Sequence, residues 1–330
     1  MLHDYMEKKI EDSKNVLRLA AEMSKHYYQK PLIITYSGGK DSDCVLQLAI
    51  ECLEPSDFEV LNSHTTVDAP ETVYYIRDKF KELNAMGIKT TIHYPHYEDG
   101  SFKSMWNLIE KKRMPPTRFV RYCCEELKET TTPNRFIAMG VREAESTNRR
   151  GRDTFSVRGR KKGEALHYST AHIKEVFETA KIKASESGGG TNDDNVWDCT
   201  FIKKAKHNED LICSPIYKWL DNEVWQYLND RGCKHNPLYD RGYKRVGCIG
   251  CPMAGNQVTE LEQYPKYKQN YINAFDRMMK RRIEAGKKDY EKEGIHKWTD
   301  GKSVYKWWIG DTSIEGQMDI FDFLDKENED

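Results

Sequence analysis

The chain has no run of about 18 apolar residues, which excludes an ordinary membrane-spanning helix. It has no excess of either charge: 52 lysines and arginines meet 53 aspartates and glutamates, for a formal net charge of −1. A nucleic-acid site must therefore be a local basic patch rather than a global field. Met1 to Lys14 is charged and amphipathic and lacks the apolar core of a secretory signal, so the expected location is the cytoplasm. There is no internal repeat and no G-x-x-x-x-G-K-[ST] run, which excludes the ordinary P-loop. No cysteine follows Cys251.

What is present supports a folded core under a very polar surface, with 38% hydrophobic and 32% charged residues. The nine cysteines lie at 44, 52, 123, 124, 199, 213, 233, 248 and 251. Without a secretory signal they read as thiols or metal ligands rather than disulfides. Helical periodicity over 6–28 puts Val16, Leu17, Leu19, Ala20 and Met23 on one side. Strands are predicted at 32–36, 58–64, 89–94 and 135–141, with helices at 42–53 and from the Pro70 region to about Met86. That alternation predicts an α/β fold, a doubly wound parallel sheet with ligands at the C-terminal ends of the strands. Regularity fades after Val141. The stretch 149–163 carries seven basic residues against one acidic, and fits either a polyanion site or a solvated loop. Residues 185–195 read as a loop tip, and order resumes at Trp197–Ile202 and in a helix at 221–228 opened by an Asp221 cap. A basic helix at 266–285 and an aromatic cluster (Trp298, Tyr305, Trp307, Trp308) complete the chain. Three parts are expected: an N-terminal helix at 1–29, a nucleotide-binding domain at 30–255, and a helical, aromatic-rich extension with an acidic tail at 256–330.

The most telling stretch is Tyr36-Ser37-Gly38-Gly39-Lys40-Asp41-Ser42, directly after the apolar run 31–35. A strand, a glycine turn and a helix N-terminus in succession aim backbone N–H groups and the helix dipole at one point, which makes an anion cradle. Ser37 and Ser42 add hydroxyls and Lys40 a full charge. The second signal is Cys123-Cys124 together with Cys248-Ile249-Gly250-Cys251. C-x-x-C brings two sulfurs to one metal. A vicinal pair turns both thiolates to one site only if the backbone between them is strained, and that strain suits a four-iron cluster, with its separate corners, better than a single tetrahedral zinc. Zinc and four reduced structural thiols are the alternatives.

Ser37–Ser42 resembles the PP-loop of the N-type ATP pyrophosphatase superfamily. The CC and CxxC arrangement resembles the [4Fe–4S] ligand set of adenylyl-sulfate reductases and related PP-loop enzymes. Thr65–Thr72, Arg121–Lys128, Gly140–Ser146 with Arg149 and Arg150, Pro215–Trp219 and Asn236–Tyr243 are similar to segments of the phosphoadenylyl-sulfate (PAPS) reductase family. The likeness covers most of 30–255 and implies an adenine nucleotide alpha-hydrolase-like, Rossmann-like fold with a C-terminal helical extension. It implies nucleotide binding by Ser37, Gly38, Gly39, Lys40, Asp41, Ser42, Thr66, Gly140, Arg142 and Arg149. Lys40, Asp41 and Arg142 would be catalytic, and Cys123, Cys124, Cys248 and Cys251 would hold a [4Fe–4S] cluster. Mg²⁺ would ride on the phosphates, with Asp41 or Asp68 nearby.

One departure stands out. Reductases of this family capture the sulfonyl group with a cysteine in a C-terminal Glu-Cys-Gly-x-His segment, which this sequence lacks. Cys44, in the first turn after the cradle, is the spare thiol to test, since a helix N-terminus lowers a thiol pKa. The PP-loop and four-cysteine pattern resembles that of the DNA-phosphorothioation PP-loop proteins. It implies ATP split to AMP and pyrophosphate in support of sulfur transfer, with nucleic acid as acceptor and a cysteine desulfurase as donor. The alternatives are thioredoxin-dependent reduction of adenylyl sulfate or PAPS, and a non-catalytic nucleotide-binding subunit of a DNA complex. Gln317-Met318-Asp319-Ile320-Phe321 resembles a sliding-clamp binding peptide.

Overall fold

The computed structural model describes residues 2–129, 132, 134–145, 149–151, 153–158, 167–186, 210–286 and 298–310. Ser146, Trp197–Ile202 with Cys199, part of the basic stretch, most of the 185–195 loop and the Gln317–Phe321 peptide lie outside them. No helix among the described residues is long and apolar enough to cross a membrane. The chain forms two compact units, one from Met1–Ser63, Pro70–His93 and Thr131–Val246, the other from His64–Ala69, Tyr94–Thr130 and Gly247–Asp330.

The first unit is built on a seven-stranded sheet: β1 (Leu32–Thr35), β2 (Phe58–Ser63), β3 (Thr90–His93), β4 (Phe136–Ala138), β5 (Phe155–Arg158), β6 (His167–Tyr168) and β7 (Asp210–Cys213). Their spatial order is β3-β2-β1-β4-β7-β5-β6. The first five in that order are parallel, with Leu32 opposite Phe58 and Ile33 opposite Ile137. β5 pairs antiparallel with both β7 and β6. The central strands β1 and β4 are apolar and buried on both faces, while the edge strand β3 is not. The antiparallel edge was not expected. In β5, Phe155 and Val157 are buried with the half-buried Ser156 between them, and so short an alternation inside a basic stretch is a weak strand signal.

α1 (Leu2–Tyr28) lays its expected face, Val16, Leu17, Leu19, Ala20 and Met23, into the core and packs on α2 (Lys40–Cys52) and β4. The unit also holds α3 (Pro70–Ala85), α6 (Thr170–Glu186) and α7 (Asp221–Asp230). The second unit contains α4 (Met105–Lys112), α5 (Tyr122–Cys124) running into a π-helical turn at Glu125–Glu129, α8 (Gln257–Gln263), α9 (Pro265–Glu284) and α10 (Gly301–Trp308). Its core is aromatic. Trp308 sits 4.6 Å from Tyr271 and 5.4 Å from Phe275, and Trp106 stands edge-on to Tyr271 at 5.0 Å.

One polar group in the first unit is placed at a cost. Asp43 is buried in the first turn of α2, and its Oδ1 accepts from the Tyr36 hydroxyl at 2.5 Å and lies 3.1 Å from the Tyr75 hydroxyl, while Oδ2 has no partner. Burial pushes this carboxyl up from 3.8 to about 6, against the hydrogen bonds from Tyr36 and Tyr75. A carboxyl raised in the folded state stabilises the fold below its unfolded pKa and loses that contribution as pH rises toward about 6. Urea titrations of wild type and Asp43→Asn should therefore diverge between about pH 4 and pH 6.5. The variant should gain on the wild type by on the order of 2–3 kcal/mol, and parallel pH profiles would refute the assignment.

Candidate functional site

The cradle follows β1 at the C-terminal edge of the parallel strands. Gly38 adopts φ +73°, and Gly39 is the N-cap of α2. The Ser42 hydroxyl donates to Gly39 O at 2.7 Å and accepts from the Gly39 and Ser37 N–H groups at 3.2 and 3.3 Å. It locks the turn from inside. Gly140, just past β4, is required by proximity: a Cβ there would stand 2.7 Å from Asp41 O and 3.0 Å from Ser42 N. Any side chain at 140 would push the first turn of α2 away.

Lys40 and Arg142 are both buried, 4% and 3% exposed, and so must be paired. Arg142 Nε donates to Asp41 Oδ1 at 2.6 Å and Nη2 to Asp221 Oδ1 at 2.7 Å. Lys40 Nζ lies 3.1 Å from the same Asp221 oxygen and 3.6 Å from Asp41 Oδ2. Burial works against the Arg142 charge, but Asp41 and Asp221 outweigh it and raise its pKa. Burial likewise works against the Asp221 carboxylate, yet its hydrogen bond with Lys40 and the Arg142 charge hold it below the usual range.

Asp221 was expected as a helix cap. In the structure Leu220 is the N-cap and the Glu223 carboxylate accepts from its N–H at 2.6 Å, which leaves Asp221 free to face the cations. Two more residues went unseen as part of the site. The Tyr239 hydroxyl accepts from the Lys40 N–H at 2.9 Å. The fully buried Asn236 donates to Gly38 O and Thr72 Oγ1, both at 3.0 Å. The available signal was Asn-Pro-Leu-Tyr itself, an amide placed among apolar neighbours.

Other expected residues are placed elsewhere. The Arg149 guanidinium pairs with Glu145, and the Arg149 carbonyl accepts from Tyr217 OH at 2.6 Å. Thr66 belongs to the second unit, where its hydroxyl accepts from Met105 N at 3.0 Å. Cys44 is fully buried, and desolvation raises its pKa well above that of a free thiol; the helix N-terminus does not lower it as expected. Asp68 Oδ2 accepts from Thr65 N at 3.1 Å, in the second unit.

All four cysteines of the second constellation also lie in the second unit, as free thiols. The Cys248–Cys251 turn is held from several sides. The Tyr271 hydroxyl donates to Ile249 O at 3.0 Å, Gln257 Nε2 to Gly250 O at 3.1 Å, and Gly250 N to Glu260 Oε2 at 3.2 Å. Gly250 has φ +70°, and a Cβ there would lie 2.9 Å from Leu261 Cδ2. The strain expected between Cys123 and Cys124 is absent: the pair occupies one ordinary helical turn, and neither residue has a positive φ. The distortion is displaced into the following π-helical turn.

The thiols act on one another. A hydrogen bond to Cys124 raises the pKa of Cys123, with burial and the charges of Cys248 and Cys251 adding to it. The same bond lowers Cys124 to about 5, with Arg121 Nη2 at 3.5 Å in support. Cys248 is pushed up to about 11 by burial, against the charge of Lys128. The Cys248 charge in turn raises the pKa of Lys128. Among the described residues, no group of three or more His, Cys, Asp or Glu is placed so that it could hold a metal ion.

The shared carboxylate makes a direct prediction. Asp221→Asn removes one negative charge that both cradle cations now share. Pyrophosphate affinity, measured by calorimetry, should rise by about fivefold, equivalent to about 1 kcal/mol for a partly exposed charge. Unchanged or weaker binding would show that Asp221 orients the cations more than it neutralises them.

Comparison with known proteins identifies the family. An uncharacterized protein of Methanocaldococcus jannaschii is 23% identical over 290 residues, covering 86% of this chain and 50% of that protein. A second from the same organism is 25% identical over 297 residues, covering 84% and 56%. The chain thus spans about half the length of the curated relatives it matches. The adenosine 5′-phosphosulfate reductase of Staphylococcus epidermidis is 35% identical over 51 residues, 16% of this chain and 21% of that protein. Among solved structures, the PAPS reductase of Candida auris in complex with phosphate aligns over 72% of this chain and 87% of its own, at 15% identity and a TM-score of 0.39. The U34-tRNA thiolase of Methanococcus maripaludis, solved with its [4Fe–4S] cluster, aligns over 91% and 88%, also at 15% and 0.39. The phosphoadenosine phosphosulfate reductase domain matches residues 31–254, well over half of the sequence, and the chain belongs to that family.

Proposed function

We propose that this protein is an enzyme that binds ATP on the Ser37–Ser42 cradle and splits it between the α- and β-phosphates in support of sulfur transfer. The observation that carries the reading is the burial of Lys40 and Arg142 against one shared carboxylate at a helix N-terminus. Two buried cations with fixed partners are a preorganised counter-charge for a leaving group that departs with several negative charges. In the proposed step, an oxygen of the acceptor attacks the α-phosphorus. The bond from the α-phosphorus to the bridging oxygen breaks, and pyrophosphate leaves with the electron pair. A hydrosulfide-class nucleophile then displaces AMP, so carbon–oxygen becomes carbon–sulfur without net redox change. Mg²⁺ on the phosphates would lower their charge further. Lys40 and Arg142 stabilise the departing pyrophosphate, Asp41 orients Arg142 through Nε, and the cradle N–H groups hold phosphate oxygens.

The donor set of the quartet, four reduced thiols with Lys128 and Arg121 beside them, fits an iron–sulfur cluster in its chemistry. Cys123, Cys124, Cys248 and Cys251 would hold a [4Fe–4S] cluster, which would supply one-electron redox chemistry beside the sulfur-transfer step. A cysteine desulfurase is the matching class of sulfur source.

A second reading, thioredoxin-dependent reduction of adenylyl sulfate, is favoured by the stretch of identity with adenosine 5′-phosphosulfate reductases. It needs an accessible thiol nucleophile outside the quartet. Among the described residues Cys44 and Cys213 are fully buried, burial pushes Cys52 up to about 11, and the half-buried Cys233 is likewise raised by burial.

Two measurements test the lead reading. AMP and pyrophosphate should form from ATP and fall by at least about a hundredfold in Lys40→Ala and in Arg142→Ala, in line with the loss of a transition-state charge contact. Sulfite release from adenylyl sulfate with thioredoxin, and no AMP from ATP, would replace it with the reductase. Protein purified without oxygen should be brown, and Cys248→Ser should bleach it; colourless wild type with one equivalent of zinc would remove the cluster.

A further inference from the structure

Within the second unit, the segment from Arg113 to Arg121 is held with unusual thoroughness. Arg282 Nη1 donates to Arg113 O at 2.5 Å, the Tyr122 hydroxyl to Met114 O at 2.7 Å, and Trp308 Nε1 to Pro116 O at 2.6 Å. Arg118 Nε donates to Pro252 O at 2.8 Å, next to Cys251. At the tip, Thr117 N donates to Val120 O at 3.1 Å and Val120 N to Thr117 Oγ1 at 3.0 Å, so that Arg118 and Phe119 form the crest of a closed turn. Four anchors and a closed turn fix the backbone, yet the Phe119 ring they carry is 96% exposed. An anchored loop that ends in a bare aromatic side chain contributes little to the unit's own core. It pays in advance the ordering cost of binding something else.

The surroundings narrow what that is. Val120 and Met253 are the neighbouring exposed apolar side chains, 38% and 50%. Such a patch is small beside the several hundred Å² of a stable protein interface. Arginines flank it. Arg118 and Arg121 lie on either side of Phe119 in sequence, and Arg282 reaches the base of the same loop. An exposed aromatic ring on a fixed loop, with arginines one residue before and two residues after it, matches an unstacked base with its adjoining phosphates.

We propose that the Arg113–Arg121 loop is a single-stranded nucleic-acid platform, on which Phe119 stacks a base while Arg118 and Arg121 face phosphates. Arg121 also touches Cys124, so a strand held here would lie beside the cysteine quartet. The proposal deepens the sulfur-transfer reading by naming its acceptor as an unpaired stretch of polynucleotide.

The test is fluorescence anisotropy with labelled oligothymidylate and oligouridylate of about a dozen nucleotides, and with the matching duplex. Wild type should prefer the single strands. Phe119→Ala should bind them about tenfold more weakly, the loss expected for one stacked base, and Phe119→Tyr should bind as wild type does. Comparing the two sugars shows whether DNA or RNA is preferred. Equal affinity of wild type and Phe119→Ala, preference for duplex, or no single-strand binding overturns the proposal. Binding requires neither ATP nor cluster. Intact oligonucleotide binding in a preparation that forms no AMP would therefore sink the ATP reading and leave this one standing.

Discussion

Two buried cations share one carboxylate, and the cradle depends on that arrangement. Lys40 and Arg142 come from the first turn of α2 and from the chain just past β4, and neither could be buried unpaired without a cost of several kcal/mol. Asp41 and Asp221 solve this unequally. The Asp41 side chain is 19% exposed, that of Asp221 61%. The four charges cancel, so the remaining positive potential comes from backbone N–H groups and the α2 dipole. An anion that binds must compete with Asp221 for both cations at once. A singly charged ion gains little from that exchange, whereas a polyphosphate can satisfy both cations and the N–H groups together. Selection for a multiply charged ligand thus follows from how the protein stabilises itself.

Gly140 shows how closely the local chain was matched to this network. Its Cα lies where the backbone of Asp41 and Ser42 leaves no room for a Cβ, so the strand carrying Arg142 can approach the helix carrying Lys40. The SGGKDS run and the strand before it were legible in the sequence, because each rests on a local rule of glycine conformation or apolar runs, whereas Gly140 enters only through the family resemblance and serves a close approach to a distant stretch of chain. Asp221, Asn236 and Tyr239 were not. Their roles arise from contacts spanning about 200 residues of sequence, and no local spacing announces such partners. Asp221 was instead assigned the local task its position suggested, helix capping, which Glu223 performs from three residues on. Cys44 failed for a related reason. The sequence places it beside a helix N-terminus but cannot show that the core closes over it, and desolvation outweighs the dipole.

The cysteines were legible as a set, and their supports were not. CIGC reads as a metal turn from spacing alone, but the Tyr271, Gln257 and Glu260 contacts that fix it come from helices further along the chain. The second unit is assembled from three separate stretches of sequence, which explains the long interval between the vicinal pair and the CxxC pair. A linear division at 255 and 256 has no means of showing such interleaving.

Charge balance bears on what the quartet is for. Four thiolates carry four negative charges, and Lys128 and Arg121 supply two positive ones against them. A dicationic core would leave a net charge of two, which these side chains match, so the surroundings suit a bound core better than four bare thiolates. The vicinal pair bears on how that core is met. Cys123 and Cys124 leave successive positions of one helical turn, so their side chains diverge by about 100°. Yet the two thiols hydrogen-bond one another, so successive helical positions do not keep their sulfurs apart. With the backbone of the pair relaxed, both thiols turn to one side without strain, and a zinc ion or a four-iron cluster meets the same charge balance.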